Sequence, residues 1–466
     1  MSAAELARLP VRDLVDRYRS WVLSPVDVAE TVLRHAESVN PVINALFSVR
    51  AEESLDLARA SEARWLRGEP LGPLDGVPVS VKDSVAVDGW PYYHGAKPNR
   101  DRPPSNFDSP PAARLKEAGA IIFAKTVMPD CGLLASGISS LHGIVRNPWG
   151  LDFNPGGSSA GVGASLATGI GFLSVGSDIA GSVRLPASHC GLAALKPTQG
   201  RIPHLAPDIM RSAGPMGRRV ADIAAMLTIL AQADARDCWS LAAEGFRYEE
   251  RLDRDMGGLR IGVLTDLGFD PRPEPAVLKA VNGVARALET LGGHVEAVPP
   301  LFDHDAYGPI DSVLQVRGLA EITSFPEDRR HEVTAAVYEW SLGASGYSAQ
   351  DFARFMAAIA LDRAHVLKAT QPFDFVLAPV LPVVNFPAEA PGLFRDVPLR
   401  HALFTAPFNQ TAQPAASVHQ SFDARGLPIG VQVIGHRFDD LGVLQVAHAI
   451  EMSRDPVTEW PVEPRS

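Results

Sequence analysis

Cysteine is scarce in this 466-residue chain: Cys131, Cys190 and Cys238 stand far apart and are odd in number. That excludes a disulfide framework and any zinc-type pair spacing, and a reducing cytoplasm is the expected compartment. Blocks of like charge are also missing. The 43 basic and 54 acidic residues leave a net charge of −11 without a run of five or six of one sign, which argues against a nucleic-acid surface or a polybasic membrane patch. Residues 161–177 carry no charge, yet five glycines (161, 163, 169, 171 and 176) interrupt them, so the stretch reads as buried core rather than a membrane span. The N-terminal MSAAELARLPVRDLVDRYRSWVL has early acidic residues and no secretory h-region, and is expected to be structure. Repeats of 20–50 residues are lacking. So are His/Asp/Glu clusters at ligand spacing, and neither a metal nor a cofactor is expected.

What remains is an ordinary globular composition, 46% hydrophobic and 21% charged, enough for one large α/β unit. Helical patterns are expected at 2–22 and 24–40, the second opening Ser24-Pro25 with Asp27 in its first turn, a capped start with proline at the first helical position. Together with the rest of 1–70 they form an expected N-terminal helical layer. From Gly76 onward short apolar runs read as strands: Val77–Val81, Ala120–Ala124, Gly171–Val175, Leu259–Leu264, Val295–Val298, Phe375–Ala378, Ala415–Phe422 and Gly430–Ile434. Helical runs at 109–118, 275–291 and 439–451 separate several of them. The alternation predicts an α/β domain across 1–466, its mixed, mostly parallel central sheet covered by helices on both faces. Residues 235–257 read as a surface connection and 303–370 as a helical cap over a substrate pocket.

Chemistry concentrates between Pro155 and Gly200, where serines sit in glycine-rich turns. The spacing fits neither phosphate cradle: Gly156 to Gly161 is followed by Val162 and Gly163 where a P-loop needs Lys-Ser/Thr, and Leu166 stands where a dinucleotide fingerprint needs its third glycine. Acyl transfer needs a nucleophile, a proton acceptor and backbone N–H donors. Ser177-Asp178-Ile179-Ala180-Gly181-Ser182 offers the hydroxyl and the amides. His94, His142 and His189 are scattered and read as packed or surface residues. Lys82 leaves the end of an apolar strand, where open α/β sheets place ligands. Taken locally it is either a solvated partner of Asp83 or a buried lysine whose neutral form accepts a proton.

The ordered set GVPVSVKD at 76–83, PGGSSAG at 155–161, GSDIAGSVRLPASHCGLAALKPTQG at 176–200 and GLPIGVQVIG at 426–435 resembles the amidase signature family, with INALF at 43–47 extending the resemblance over nearly the whole chain. The resemblance implies a Ser-cisSer-Lys triad: Ser182 as nucleophile, Ser158 after a cis peptide as the relay, and Lys82 as the base. It also implies an oxyanion hole from the amides of Ile179, Ala180, Gly181 and Ser182, with Asp178, Arg184 and Ser159 supporting it. Asp178 and Arg184 read equally well as a buried structural ion pair. Three departures stand out: Ala180 and Ala160 where glycine is usual, and Ser177 for a frequent threonine. Alanine at positive φ would be strained, so either φ is ordinary at these positions or the turn differs.

The implied reaction is hydrolysis of a carboxamide C–N bond through a serine acyl-enzyme, with a small-molecule amide as partner; a homodimer is compatible with this. Met128–Ser140, the 303–370 helices and Val384–Phe408 are the expected pocket walls, with Cys131, Phe325, Tyr338, Trp340 and Phe404 as lining candidates. The glutaminase component of a tRNA-dependent amidotransferase, its A chain, is the alternative within the fold, although residues 126–132 lack the asparagine and the acidic-Phe pair expected there. A non-catalytic scaffold is the second alternative.

Overall fold

Pro10 shapes the start of the chain. It cannot continue a helix from the preceding turn, so the expected helix over 2–22 is two, α1 (Ala3–Arg8) and α2 (Val11–Arg19), with Pro10 as the N-cap of the second. In α3 (Pro25–Ile43) the Ser24 hydroxyl accepts from the Val26 amide at 2.9 Å and Pro25 opens the helix, as the sequence predicts. Next come β1 (Leu46–Val49) and α4 (Ala51–Arg67), so the N-terminal layer also carries a strand into the sheet. The description is of a computed structural model and covers residues 1–457 and 459–465.

The remaining elements run β2 (Pro78–Lys82), α5 (Pro110–Glu117), β3 (Ile121–Thr126), the short pair β4 (Ile138–Ser139) and β5 (Gly143–Ile144), α6 (Ala160–Ala167), β6 (Leu173–Asp178), α7 (Arg184–Cys190), β7 (Ala193–Lys196), β8 (Ser212–Gly217) and α8 (Val220–Leu230). The second half holds β9 (Arg260–Val263), α9 (Pro275–Thr290), β10 (His294–Ala297), α10 (Tyr307–Ser324), α11 (Ala335–Leu342), α12 (Ala349–Thr370), β11 (Phe375–Pro379), α13 (Ala406–Gln410), β12 (Ala415–Phe422), β13 (Pro428–Gly435) and α14 (Asp440–Met452). Eleven strands form one mixed sheet in the order β1-β3-β2-β6-β8-β7-β12-β13-β11-β9-β10. The parallel pairs fall in two blocks, β3-β2-β6 and β11-β9-β10. Antiparallel pairs join the blocks and add β1 at one edge.

All eight strands expected from the apolar runs are present within a few residues, and residues 235–257 run as a connection with one short 3₁₀ turn. Strands β1, β7 and β8 of the main sheet and the short pair β4 and β5 are additional. β8 is Ser-Ala-Gly-Pro-Met-Gly, which reads locally as a turn. It is a strand because β6 and β7 flank it and supply antiparallel partners on both edges, a case of tertiary pairing overriding propensity. The uncharged run at 161–177 is buried throughout, as α6 and the start of β6. Among the described residues no helix is long and apolar enough to cross a membrane. Residues 303–370 fold as α10, α11 and α12 around a second apolar cluster that includes Phe325, Trp340 and Phe404.

Candidate active site

β2 is buried along its whole length and lies parallel between β3 and β6. Its register, Val81 opposite Val175, brings Lys82 level with the end of β6, where Ser177 and Asp178 stand. Ser158 arrives from the turn before α6, after a cis peptide between Gly157 and Ser158. A side chain on Gly157 would run into the Ser136 backbone, so only glycine lets this turn press so close to its neighbour. Lys82 Nζ donates to Ser158 Oγ at 2.7 Å and contacts Ser177 Oγ at 3.1 Å and Ser177 O at 3.3 Å. Ser84 Oγ meets Ser177 Oγ at 3.0 Å. No water reaches the lysine, whose side chain is 0% exposed.

Burial is the main force on Lys82. It pushes the ammonium's pKa down to about 7, helped by the charge of Arg211 and opposed by Asp178 and Asp83. The local alternative of a solvated ion pair with Asp83 fails. Asp83 faces another lysine, Lys125, at 3.6 Å and accepts from the amides of Gly95 and Tyr93. Lys82 is therefore a buried amine held between hydroxyls, and burial favours its neutral form.

The turn after β6 holds Ser182. Asp178 braces it by accepting from the amides of Gly181 (2.7 Å) and Val183 (3.2 Å) while it pairs with Arg184 at 2.9 and 3.0 Å. Arg184 is fully buried and also donates to Gln432, Asn409 and the Thr405 carbonyl. Burial alone would raise the Asp178 carboxyl, but the Arg184 guanidinium and the Asn409 amide hold it well below the usual carboxylate range. Both readings of this pair hold together: it is a buried ion pair, and its carboxylate fixes the turn.

One expectation needs correction. The Gly181 amide, expected in an oxyanion hole, already donates to Asp178. The amides of Ile179, Ala180 and Ser182 donate to no protein atom among the described residues. Positive φ falls on Gly181 (+132°), where an added Cβ would strike Thr405, whereas Ala180 and Ala160 avoid positive φ. The two alanines are accommodated for that reason. Ser159 ties the two serine turns together through its backbone, its amide donating to the Ser182 carbonyl at 3.2 Å. Its own hydroxyl is buried without a partner.

Ser158, Ser177, Ile179, Ala180 and Ser182 line a hollow of about 740 Å³, counting its open mouth. Cys131 lines it too, its thiol held protonated by burial, which disqualifies it as the nucleophile. The segment Met128–Ser140 supplies Met128, Gly132 and Leu133, α10 supplies Leu314, Arg317 and Glu321, and Val384–Phe408 supplies only Leu399. Phe325, Tyr338, Trp340 and Phe404 are not brought there. Phe325, Trp340 and Phe404 are core residues of the second cluster, Tyr338 packs against it, and the Trp340 indole N–H is directed at Asp311 at 3.2 Å. Bulky aromatics are buried whether or not a substrate lies nearby. Ser84, Arg211, Thr405, Asn409 and Gln432, and Ser177 as a lysine partner, were not legible as site residues in the sequence. The local signals among them were the threonine-to-serine departure at 177 and the place of Gln432 in the GLPIGVQVIG motif. His94 also lines the hollow, neutral because burial drives its pKa down to about 3, and among the described residues no histidine hydrogen-bonds Ser158 or Ser182.

Comparison with known proteins gives a consistent match. The amidase family pattern covers residues 27–444. An acylamidase of Rhodococcus erythropolis is 33% identical over 479 aligned residues, spanning 99% of each chain. The A chain of the glutamyl-tRNA(Gln) amidotransferase of Geobacter metallireducens is 32% identical over 98% of each. Among solved structures, a 6-aminohexanoate cyclic dimer hydrolase superposes with a TM-score of 0.88 at 28% identity, covering 98% of this chain and 99% of its own. A bacterial aryl acylamidase of the amidase signature family superposes at 0.89 with 26% identity, covering 100% and 99%.

Proposed function

The chain belongs to the amidase signature family, and from that premise we propose that it hydrolyses a carboxamide C–N bond through an acyl-enzyme on Ser182. Neutral Lys82 takes the proton of Ser158, Ser158 takes that of Ser182, and the Ser182 oxygen attacks the amide carbon. The free amides of Ile179, Ala180 and Ser182 receive the developing oxyanion. The Gly181 amide contributes indirectly, by anchoring the turn on Asp178. The proton then returns along the same path to the departing nitrogen, which leaves as ammonia or an amine. Water cleaves the ester and releases a carboxylic acid.

The observation that carries this reading is the 2.7 Å contact between a water-excluded Lys82 and Ser158, with the lysine's pKa near 7. The test is ammonia or amine release from aryl, alkyl and amino-acid amides, paired with fluorophosphonate labelling. Ser182→Ala should lower turnover by on the order of 10⁴-fold or more and abolish labelling. Turnover at the unmodified rate in that variant would overturn the mechanism, and an inactive parent protein would favour the scaffold alternative.

The similarity to amidotransferase A chains favours a second reading, in which glutamine is the ammonia donor and a partner is required. Residues 126–132 lack the asparagine and the acidic-Phe pair expected of such a chain, which supports a free-standing hydrolase. Glutamine cleaved in preference to simple amides, and only with a partner present, would reverse that choice.

A further inference from the structure

The wall of the hollow opposite the serines is charged. Arg211, at the entry to β8, and Arg317, on α10, both line it. Arg317 is occupied, donating to Asp208 at 2.5 Å. The Arg211 guanidinium is not: among the described residues it forms no ion pair, although its backbone amide donates to Asp208 at 3.3 Å. The guanidinium's one hydrogen bond among the described residues goes to the Ala206 carbonyl, and its Nε is buried without a partner. The other nearby acid, Glu321, is an exposed residue on the rim, one helical turn beyond Arg317. His94 adds a second orphan, for its Nε2 is likewise buried without a partner on the wall of this hollow.

A guanidinium largely removed from water is costly when its nearest acid, Asp208, is already taken by Arg317. Two unpartnered polar atoms facing one cavity indicate a ligand that supplies the missing acceptor. We propose that the substrate is a carboxylate-bearing amide, its carboxylate held by Arg211 with the Nε2–H tautomer of His94 as a neutral second donor, and its amide presented to Ser182. The inference rests on the hydrolase reading above and narrows its substrate class. Planar guanidinium suits a carboxylate better than an ammonium would, because its paired donors match the two oxygens. The apolar floor of Met128, Leu133, Ile179 and Leu314 suits the short carbon chain between the two groups.

The experiment compares monoamides of short dicarboxylic acids with neutral isosteres in which an isopropyl group replaces the carboxylate. In the unmodified protein the charged member should be favoured in kcat/KM by on the order of 10²-fold, since a site built to hydrogen-bond a group discriminates strongly against its absence. In Arg211→Met that ratio should fall toward one, mainly through KM, with Arg211→Lys in between; free dicarboxylates should inhibit the parent and lose that inhibition in Arg211→Met. A parent protein that cleaves both members equally, or prefers the neutral one, overturns the proposal without any variant having to fold. So does an unchanged ratio in Arg211→Met. Failure of both members together, or their cleavage by Ser182→Ala, counts against the hydrolase reading instead.

Discussion

Two buried lysines share a shift in protonation and differ in what they face. Lys82 at the end of β2 and Lys196 at the end of β7 are both closed off from water, and burial pulls the pKa of both down to about 7. Lys82 touches two hydroxyls, those of Ser158 and Ser177, and both residues line the hollow. Lys196 reaches only the carbonyl of Pro197, at 3.0 Å. The shifted protonation is common to both, and the neighbours are not. A depressed pKa marks a buried amine, and the hydroxyl it faces makes it useful.

The sharpest way to break that comparison is to remove each amine in turn. Lys82→Met should lower kcat/KM for a cleaved amide by about 10²–10⁴-fold, whereas Lys196→Met should stay within about threefold, a change too small to reflect a lost proton acceptor. Steady-state kinetics at pH 8 checks both, and a comparable loss in the two would erase the distinction.

Stability reports the shift the two lysines share, and Lys196 shows it apart from activity. Between about pH 7 and the unfolded value near 10.4, the native state holds fewer protons on Lys196 than the unfolded chain does, so raising the pH favours folding. The cost of burying the charge is full below pH 7 and gone above the unfolded value. Lys196→Met should therefore gain on the parent most below pH 7, by on the order of a few kcal/mol, and the gain should shrink toward pH 10. Denaturant unfolding at several pH values measures it; a difference independent of pH would mean that Lys196 is not depressed.

The smallest effect concerns the Lys82 corner alone. Activity should fall on its acid side near pH 7, as Lys82 takes up a proton. Because the Arg211 charge helps keep that proton off, Arg211→Gln should move this limb upward, and Lys196→Met should leave it in place. A pH profile of kcat/KM on a neutral amide reads the shift, and a limb unmoved by Arg211→Gln would remove that residue from the lysine's surroundings.

How much was legible in the sequence follows the same division. Strand-end Lys82, the glycine-rich turn at 155–159 and the Asp178–Ser182 turn are local patterns that left the lysine's role open, and their meeting was implied only by the resemblance of the ordered motifs to the amidase signature family. Asn409, Thr405 and Gln432 hold the turn from more than 220 residues away, and no periodicity points to them. Arg211 precedes a strand whose glycines and proline read as a turn. The pocket aromatics were misplaced because Phe404 and Trp340 are large and apolar, and a core claims such residues as readily as a substrate wall. The occupied Gly181 amide was hidden for a different reason: spacing shows which amides share a turn and says nothing of which one a carboxylate has taken.

The strand order gives the molecule a seam. β12 and β13, the last two strands made, sit between β7 and β11, with six strands on one flank and three on the other. Gln432, which grips Arg184, lies on β13. Pairing through this hairpin joins the two flanks into one sheet, and it also brings Gln432 to Arg184 as one of several holds on the turn that carries Ser182. Residues near the end of the sequence thus complete two things at once, the joining of the sheet's flanks and the support of a turn encoded about 250 positions earlier.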